Sequence, residues 1–296
     1  MDNKKIGDFI CTLRKSKNMT QNELAVKKRN GNLDVMWKYV ICAYMLFWIM
    51  VLGICGTASM VFHASGLTMR WLANLCAWSP TFALLFMFKK LKPGMRLKEF
   101  YREAFSGKIK INLLILSGCS VIGGTLLSVF ILSIIEQKSF TSFFSLGMYS
   151  LPLSFLLSIL SGPTGEESGW RGYLRLELEE RFGFIKGSFV LGVIWAFWHT
   201  VLWFIDCDFT GMSLIIYIIS NVIVMTSLAI IMNVILKKSN NLFYAIWIHF
   251  CFNFLYTFVA ADILFYILIS IVYAIIAACF LIVYLKRRKC LSEKLY

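Results

Sequence analysis

Charged residues are scarce in this chain, and their scarcity limits the class of protein. Of the 296 residues, 16% are charged and 59% are hydrophobic. A soluble domain has about 25% charged and about 45–50% apolar residues. The composition therefore excludes an ordinary soluble protein. We expect an all-α polytopic membrane protein, whose core forms between helices in lipid.

Two further signals are missing. The first nineteen residues are hydrophilic, so we expect no cleavable signal peptide. The nine cysteines are scattered and have no paired spacing. That pattern argues against a disulfide framework and against a zinc ribbon, and it predicts buried structural cysteines.

Long apolar runs are abundant. A transmembrane helix needs about 20 mainly apolar residues. We predict eight spans, at residues 36–57, 71–88, 112–135, 143–165, 187–205, 212–236, 241–260 and 262–285. They divide the chain into a cytoplasmic segment (1–35), an integral membrane domain (36–286) and a basic tail (287–296).

The 30 lysine and arginine residues are distributed unevenly between the connections. All of them except Arg70 and Lys138 fall on one side of the predicted membrane. Cytoplasmic connections are enriched in Lys and Arg, so we expect a multi-pass cell-membrane protein with both termini in the cytoplasm. The net charge of +14 then reflects topology and attraction to the lipid bilayer, and we expect no nucleic-acid partner. One basic stretch, residues 89–110, is predicted to be either a helix along the inner leaflet or a solvated loop.

The amino terminus has a separate pattern. Residues 6–25, IGDFICTLRKSKNMTQNELA, resemble the opening of a Cro/C1-type helix-turn-helix domain. Thr20 and Glu23 predict a capping box for its second helix. The next residues run directly into the first span, which leaves no room for a recognition helix in the major groove. We expect a truncated remnant or an adaptor, with DNA binding as the alternative.

Ionisable side chains inside spans are costly in lipid and usually mark function. Here they cluster in three stretches: EESGWR at 166–171, WAFWH at 195–199 and HFCFN at 249–253. Each stretch alone has a structural explanation, such as an ion pair or a polar contact between helices. Their occurrence together, on separate helices, indicates a functional site.

The spacing within these stretches predicts the geometry. Glu167 and Arg171 are four residues apart, so they share a helix face and are expected to pair. Glu166 is rotated by about 100° from Glu167 and stays available. His249 and Asn253 also share one face, because they too are four residues apart.

The depth of the site follows from a break in the fourth span. Gly162, Pro163 and Gly165 should interrupt the helix just before the glutamates. Such a break is tolerated where the backbone lines a cavity. At about 1.5 Å per residue, Glu166 and His199 reach similar depths in the membrane. We expect a polar intramembrane pocket that opens toward the cytoplasm.

The three stretches together resemble the motifs of the CAAX-protease and bacteriocin-processing (CPBP, or Abi) family of intramembrane proteases. In that family, three residues separate a pair of glutamates from an arginine, an aromatic residue from a histidine, and a histidine from an asparagine. The aromatic residue is usually phenylalanine, and this chain has Trp195 there. The resemblance covers about residues 110–285.

The resemblance implies an intramembrane CAAX-type endopeptidase with six catalytic-site residues: Glu166, His199, His249, Asn253, Glu167 and Arg171. Glu166 and His199 would activate a water molecule, and His249 with Asn253 would hold the oxyanion. The remaining glutamate and the arginine would fix the helix that carries Glu166.

A metal-dependent mechanism is the competing assignment. Glu166, His199 and His249 would then be ligands of a zinc ion that activates water. The compact zinc motif HExxH is absent from the sequence. We therefore favour the carboxylate-activated water, commit to no cofactor, and keep zinc as possible.

The substrate class is implied only by the resemblance. Some family members cleave prenylated CAAX tails, others process bacteriocin-like peptides to their mature form, and others give immunity to such peptides. We therefore expect a membrane-associated peptide or protein as partner. A non-catalytic immunity or scaffold protein that binds such a peptide is the alternative. A transporter is a third possibility, for which the sequence shows no inverted repeat.

Overall fold

The computed structural model describes residues 33–145, 149–205 and 207–293. The described residues from 39 onward belong to one compact unit, which contains the candidate site. Within the described ranges the structure is helical, and its one β contact is an isolated bridge between Phe144 and Val259. The predicted all-α architecture is confirmed. The helix-turn-helix-like stretch, 6–25, lies outside the described residues.

The helices follow one another as α1 (Val35–Met60), α2 (Gly66–Leu91), α3 (Leu97–Ala104), α4 (Ile111–Ile135), α5 (Leu151–Leu160), α6 (162–182), α7 (Phe184–Ile205), α8 (Gly211–Ser239), α9 (Phe243–Tyr256) and α10 (Ile263–Glu293). Six of them, α1, α2, α4, α7, α8 and α10, are long and apolar enough to cross a membrane. They coincide with six of the eight predicted spans. The described structure is that of a polytopic membrane protein.

The other two predicted spans are shorter or interrupted. The seventh is the 14-residue apolar helix α9. The fourth is broken at Ser161, where ψ is −119°, into α5 and α6. The break is at the predicted place, but α6 begins at Gly162 rather than at Glu166. Pro163 lies in the first turn of α6, where a missing backbone N–H costs no helical hydrogen bond.

Helix α6 is tightly packed on one side of the glutamates. Its central stretch, Ser168–Leu174, is a π-helix, a form that is frequent at functional sites. A Cβ added at Gly169 would lie 2.3 Å from the Tyr39 hydroxyl, so α6 approaches its neighbours closely there. The side chains of Trp170 and Tyr173 are fully buried. The segment that follows Glu166 and Glu167 therefore packs closely against the neighbouring helices.

Backbone contacts define two opposite ends of the bundle. At one end, Gly107 N–H donates to the Asn240 carbonyl and Leu242 N–H donates to the Ala104 carbonyl. We call this the basic end (residues 92–110, 183 and 240–242). At the other end, Ser145 N–H donates to the Phe258 carbonyl. We call this the far end (residues 61–65, 136–145 and 257–262).

Two smaller predictions can be compared with the described chain. The basic stretch 89–110 contains helix α3, whose Phe100 is buried and packs edge-on against Phe88 at 5.7 Å. Seven cysteines whose side chains the structure describes are free thiols, but only some are buried: Cys55, Cys76 and Cys251 are, whereas Cys119 and Cys279 are exposed. The prediction of buried cysteines is therefore correct for part of the set, because the exposed two face outward from membrane-spanning helices.

Candidate active site

A cavity of about 260 Å³ lies inside the bundle next to the break between α5 and α6. Four of the six candidate residues line it, from three helices: Glu166, His199, His249 and Asn253. Residues far apart in sequence therefore meet in one enclosed space. This convergence is what the three separate motifs predicted.

Glu166 is a buried lining residue of the cavity. Only 3% of this residue is exposed, and its Oε2 accepts a hydrogen bond of 2.5 Å from the indole Nε1 of Trp195. A Cβ added at Gly162 would lie 2.7 Å from Glu166 Oε1 and 2.4 Å from His249 Nε2. The two polar atoms therefore face each other across a bare glycine, close enough for one water molecule to contact both.

Glu167 points away from the cavity and forms a buried ion network. Its Oε1 accepts a bond of 3.1 Å from Arg171 Nη1 and lies 2.7 Å from His249 Nδ1. The predicted Glu167–Arg171 pair is therefore present. The bond to His249 was not predicted, because spacing within one helix gives no information about a partner on another. It links the α6 pair to the third motif.

Trp195 contacts more of the site than its aromatic role in the motif suggested. Besides its bond to Glu166, its ring lies under the Arg171 guanidinium at 4.0 Å and meets the His249 ring edge-on at 5.2 Å. Its carbonyl oxygen lies 2.9 Å from His199 Nδ1. Trp195 thus contacts charged residues of α6 and the histidine of α9, and its carbonyl also holds the histidine of its own helix, α7. The sequence signal for the bond to Glu166 was tryptophan in place of the usual phenylalanine, because phenylalanine has no N–H to donate.

The bond to the Trp195 carbonyl also orients His199. A carbonyl oxygen can only accept, so the proton is assigned to Nδ1 and the neutral ring has its lone pair on Nε2. His199 lines the cavity. The ring can therefore present a proton acceptor to a molecule bound there.

Asn253 stands at the helix break. Its Nδ2 lies 3.5 Å from Ser161 Oγ, a long contact, and its side chain lines the cavity. The amide group keeps donor capacity for a ligand, because each amide nitrogen carries two hydrogens.

The proposed zinc ligands do not form a metal site in the described ranges. There, no three His, Cys, Asp or Glu side chains come close enough to share one ion. One oxygen of Glu166 is already bound to the Trp195 indole.

The cavity lies on the side of the glutamates opposite to the predicted one. We expected a pocket open toward the cytoplasm, the side to which the charge distribution of the sequence assigns the basic end. The lining residues of α2, α7 and α9 instead belong to the halves of those helices nearer the far end, and they include Arg70, Leu202 and Tyr256. The sequence did not indicate this position, because helix rise gives the depth of Glu166 but not the side of it on which space remains. The buried side chains of the π-helical part of α6, Trp170 and Tyr173, pack directly beyond the glutamates.

A second cavity of about 270 Å³ lies at the basic end. Arg171, Arg175 and Lys92 are among its lining residues, and it shares none with the first cavity. Glu166 and Arg171 therefore face different cavities. The layer that separates the two contains Glu167, which is fully buried.

Comparison with known proteins supports the resemblance noted above. Residues 148–255 match a family model described as "Rce1-like: Type II CAAX prenyl endopeptidase Rce1-like". That segment contains all six candidate residues. The chain is also similar to CAAX prenyl protease 2 of Methanococcus maripaludis, with 28% identity over 183 residues, which cover 56% of this chain. The matched region spans 64% of that relative's length.

Proposed function

We propose that the protein is an intramembrane endopeptidase of the CPBP type, which hydrolyses a peptide bond of a membrane-associated peptide or protein. The observation that carries the proposal is the single cavity lined by Glu166, His199, His249 and Asn253. The family match and the similarity to a CAAX prenyl protease agree with this chemistry. A CAAX-type or bacteriocin-like substrate follows from the resemblance.

Glu166 and His199 are proposed to activate the water. A water molecule in the cavity donates one hydrogen bond to the Glu166 carboxylate and one to His199 Nε2. As the water oxygen attacks the carbonyl carbon of the peptide bond, its proton passes to the carboxylate. The protonated carboxyl then returns this proton to the leaving amine, so Glu166 serves first as base and then as acid.

His249 and Asn253 are proposed to stabilise the oxyanion. The negative oxygen of the tetrahedral intermediate accepts from Asn253 Nδ2–H and from His249 Nε2–H. For His249 to donate from Nε2 while Nδ1 donates to Glu167, both ring nitrogens must carry a proton. Glu167 supplies the negative charge beside that imidazolium, and Arg171 holds Glu167 in place.

The Glu166→Gln variant tests the proposal. It keeps the shape of the side chain but removes the base, so turnover should fall by about 10²–10⁴-fold with normal protein levels. Mass spectrometry of membrane peptides from cells with wild-type or variant protein identifies the cleaved substrate, and purified protein then gives the rate. Glu136→Gln is the matched control, because this carboxylate pairs with Lys138 at the far end, outside the cavity.

Two outcomes would change the mechanism or the function. If a chelator abolishes wild-type activity and zinc restores it, a metal activates the water. If peptide profiles are identical for wild type and Glu166→Gln while both bind the peptide, the protein is a non-catalytic immunity or scaffold protein.

We also propose that both termini lie in the cytoplasm, on the basis of the charge distribution. The basic end is then cytoplasmic, and the far end faces the exterior. A reporter that is active only outside the cell, fused after Tyr296, should give no signal. The amino-terminal segment is proposed to be dispensable for catalysis, because all six candidate residues lie far beyond it in the chain.

A further inference from the structure

Very little positive charge lies at or next to the far end, and one of the cations there lines the cavity. Of the 30 lysine and arginine residues, the predicted topology leaves only Arg70 and Lys138 on this side. Lys138 is paired with Glu136 at 2.6 Å. Arg70 lines the cavity and makes no ion pair with a residue of the described ranges. It is thus the cation available to a ligand that enters from this end.

Arg70 also marks where the cavity opens. Among the lining residues, Glu166 and His249 are buried, and Arg70 is the one that is exposed. The next turn of α2 is anchored, because Asn74 is buried and its Nδ2 donates to the Leu157 carbonyl of α5 at 3.1 Å. The guanidinium therefore stands at the entrance of the cavity, on a helix whose position is fixed against α5.

The distance along the bundle from Arg70 to Glu166 can be estimated from positions along α2. Trp78 lies at the same height as the break before Glu166, because a Cβ at Gly165 would lie 2.6 Å from its ring and its Nε1 donates to the Leu160 carbonyl. Arg70 is eight residues before Trp78, which is about 12 Å along a helix. An extended peptide advances about 3.3 Å per residue. Three to four substrate residues therefore span the distance between Glu166 and Arg70.

We propose that Arg70 is a specificity-determining residue that binds the free carboxylate at the carboxyl terminus of the substrate, three to four residues beyond the cleaved bond. The inference rests on the proposed function and adds the direction of the bound peptide, whose carboxyl-terminal end points to the far end. A guanidinium matches a carboxylate with two parallel hydrogen bonds, which gives both affinity and orientation. Substrate enters from the end of the bundle opposite to the basic connections.

Binding of defined peptides to the full chain tests the proposal. The probes are two pools of fluorescent peptides with a farnesylated cysteine followed by three randomised residues, one pool ending in a carboxylate and the other in an amide. The protein carries Glu166→Gln, so that bound peptide is not consumed. It is embedded in discs of zwitterionic lipid, which lack anionic headgroups that would compete for Arg70.

The acid pool should bind about tenfold more tightly than the amide pool, the effect expected for a hydrogen bond between charged groups. Adding Arg70→Gln should abolish that preference, whereas Arg70→Lys should retain part of it. Lys138→Gln is the matched control, because it removes the other far-end cation, and it should leave the preference unchanged. Equal affinity for both pools, no binding of either pool, or a preference that survives Arg70→Gln would overturn the proposal.

Cleavage of the same pools by protein with native Glu166 separates this inference from the proposed function. If the acid pool is cleaved but Arg70→Gln changes neither binding nor rate, only the role of Arg70 is wrong. If the acid preference depends on Arg70 but no peptide is cleaved, the site binds carboxylates and the proposed hydrolysis is wrong.

Discussion

Replacing Trp195 with phenylalanine isolates the contribution of one hydrogen bond to the site. The substitution keeps an aromatic ring at the position where the CPBP motif usually has phenylalanine, and it removes the Nε1–H that donates to Glu166 Oε2 at 2.5 Å. The carbonyl that binds His199 Nδ1 belongs to the backbone and is retained. The phenyl ring can still lie beneath the Arg171 guanidinium, although phenylalanine holds a cation less strongly than tryptophan does.

The size of the effect follows from that bond. A hydrogen bond to a charged group contributes about 1.5–3 kcal/mol. A barrier increase of about 1.4 kcal/mol slows a reaction about tenfold. Since Glu166 is buried and its other oxygen faces the cavity, we expect kcat/KM to fall by about 10–100-fold. The smaller ring also leaves a void, so the variant should unfold at a somewhat lower temperature.

A double-mutant cycle with Glu166→Gln shows whether the loss acts through the carboxylate. If Trp195 works by holding Glu166, then adding Trp195→Phe to Glu166→Gln should reduce the residual rate much less than it reduces the wild-type rate. Trp247→Phe is the control, because its Nε1 donates to the Leu114 carbonyl at 3.0 Å, outside the cavity. Equal rate losses in both backgrounds, or full activity of Trp195→Phe, would refute the positioning role.

Two further perturbations test the buried network and the glycine at the break. Arg171→Ala leaves Glu167 without its ion-pair partner and should cost about 3–5 kcal/mol of stability, the loss seen when a buried pair is broken. Adding Glu167→Gln should restore part of the melting temperature measured in detergent. No recovery would show that the charge of Glu167 is not the cause of the loss. Gly162→Ala places a Cβ 2.3 Å from the His249 ring, so activity should be lost while the protein still folds. Gly53→Ala, where a Cβ meets nothing within 4 Å, should remain fully active, and an active Gly162→Ala would mean that His249 can shift without consequence.

The sequence was sufficient for the features that depend on local spacing. Hydropathy located six of the spanning helices, and the i, i+4 spacing of Glu167 and Arg171 predicted their ion pair. Gly162, Pro163 and Gly165 predicted the break in the fourth span, because proline and glycine interrupt a helix. The same spacing correctly separated Glu166, which faces the cavity, from Glu167, which does not.

Features that depend on contacts between helices could not be predicted in this way. The bond between Glu167 and His249 joins residues 82 positions apart. The indole bond from Trp195 to Glu166 likewise requires knowledge of how α7 faces α6. The side of Glu166 on which its cavity lies depended on packing between helices, because Trp170 and Tyr173 are buried directly after the glutamates and the periodicity of the sequence does not show which neighbours they contact.

The layer between the two cavities has a consequence for the membrane as a barrier. A bundle hollowed from both ends would conduct protons or ions if the two spaces joined, and a cell that maintains an electrochemical gradient could not tolerate that leak. Here the two spaces have no lining residue in common, and the fully buried Glu167 lies between Arg171, which lines one cavity, and His249, which lines the other. The described bundle therefore places a buried, ion-paired carboxylate between its two cavities. In the proposed mechanism, water would reach the peptide bond through one of these cavities only, which would keep the bundle closed to a leak of ions.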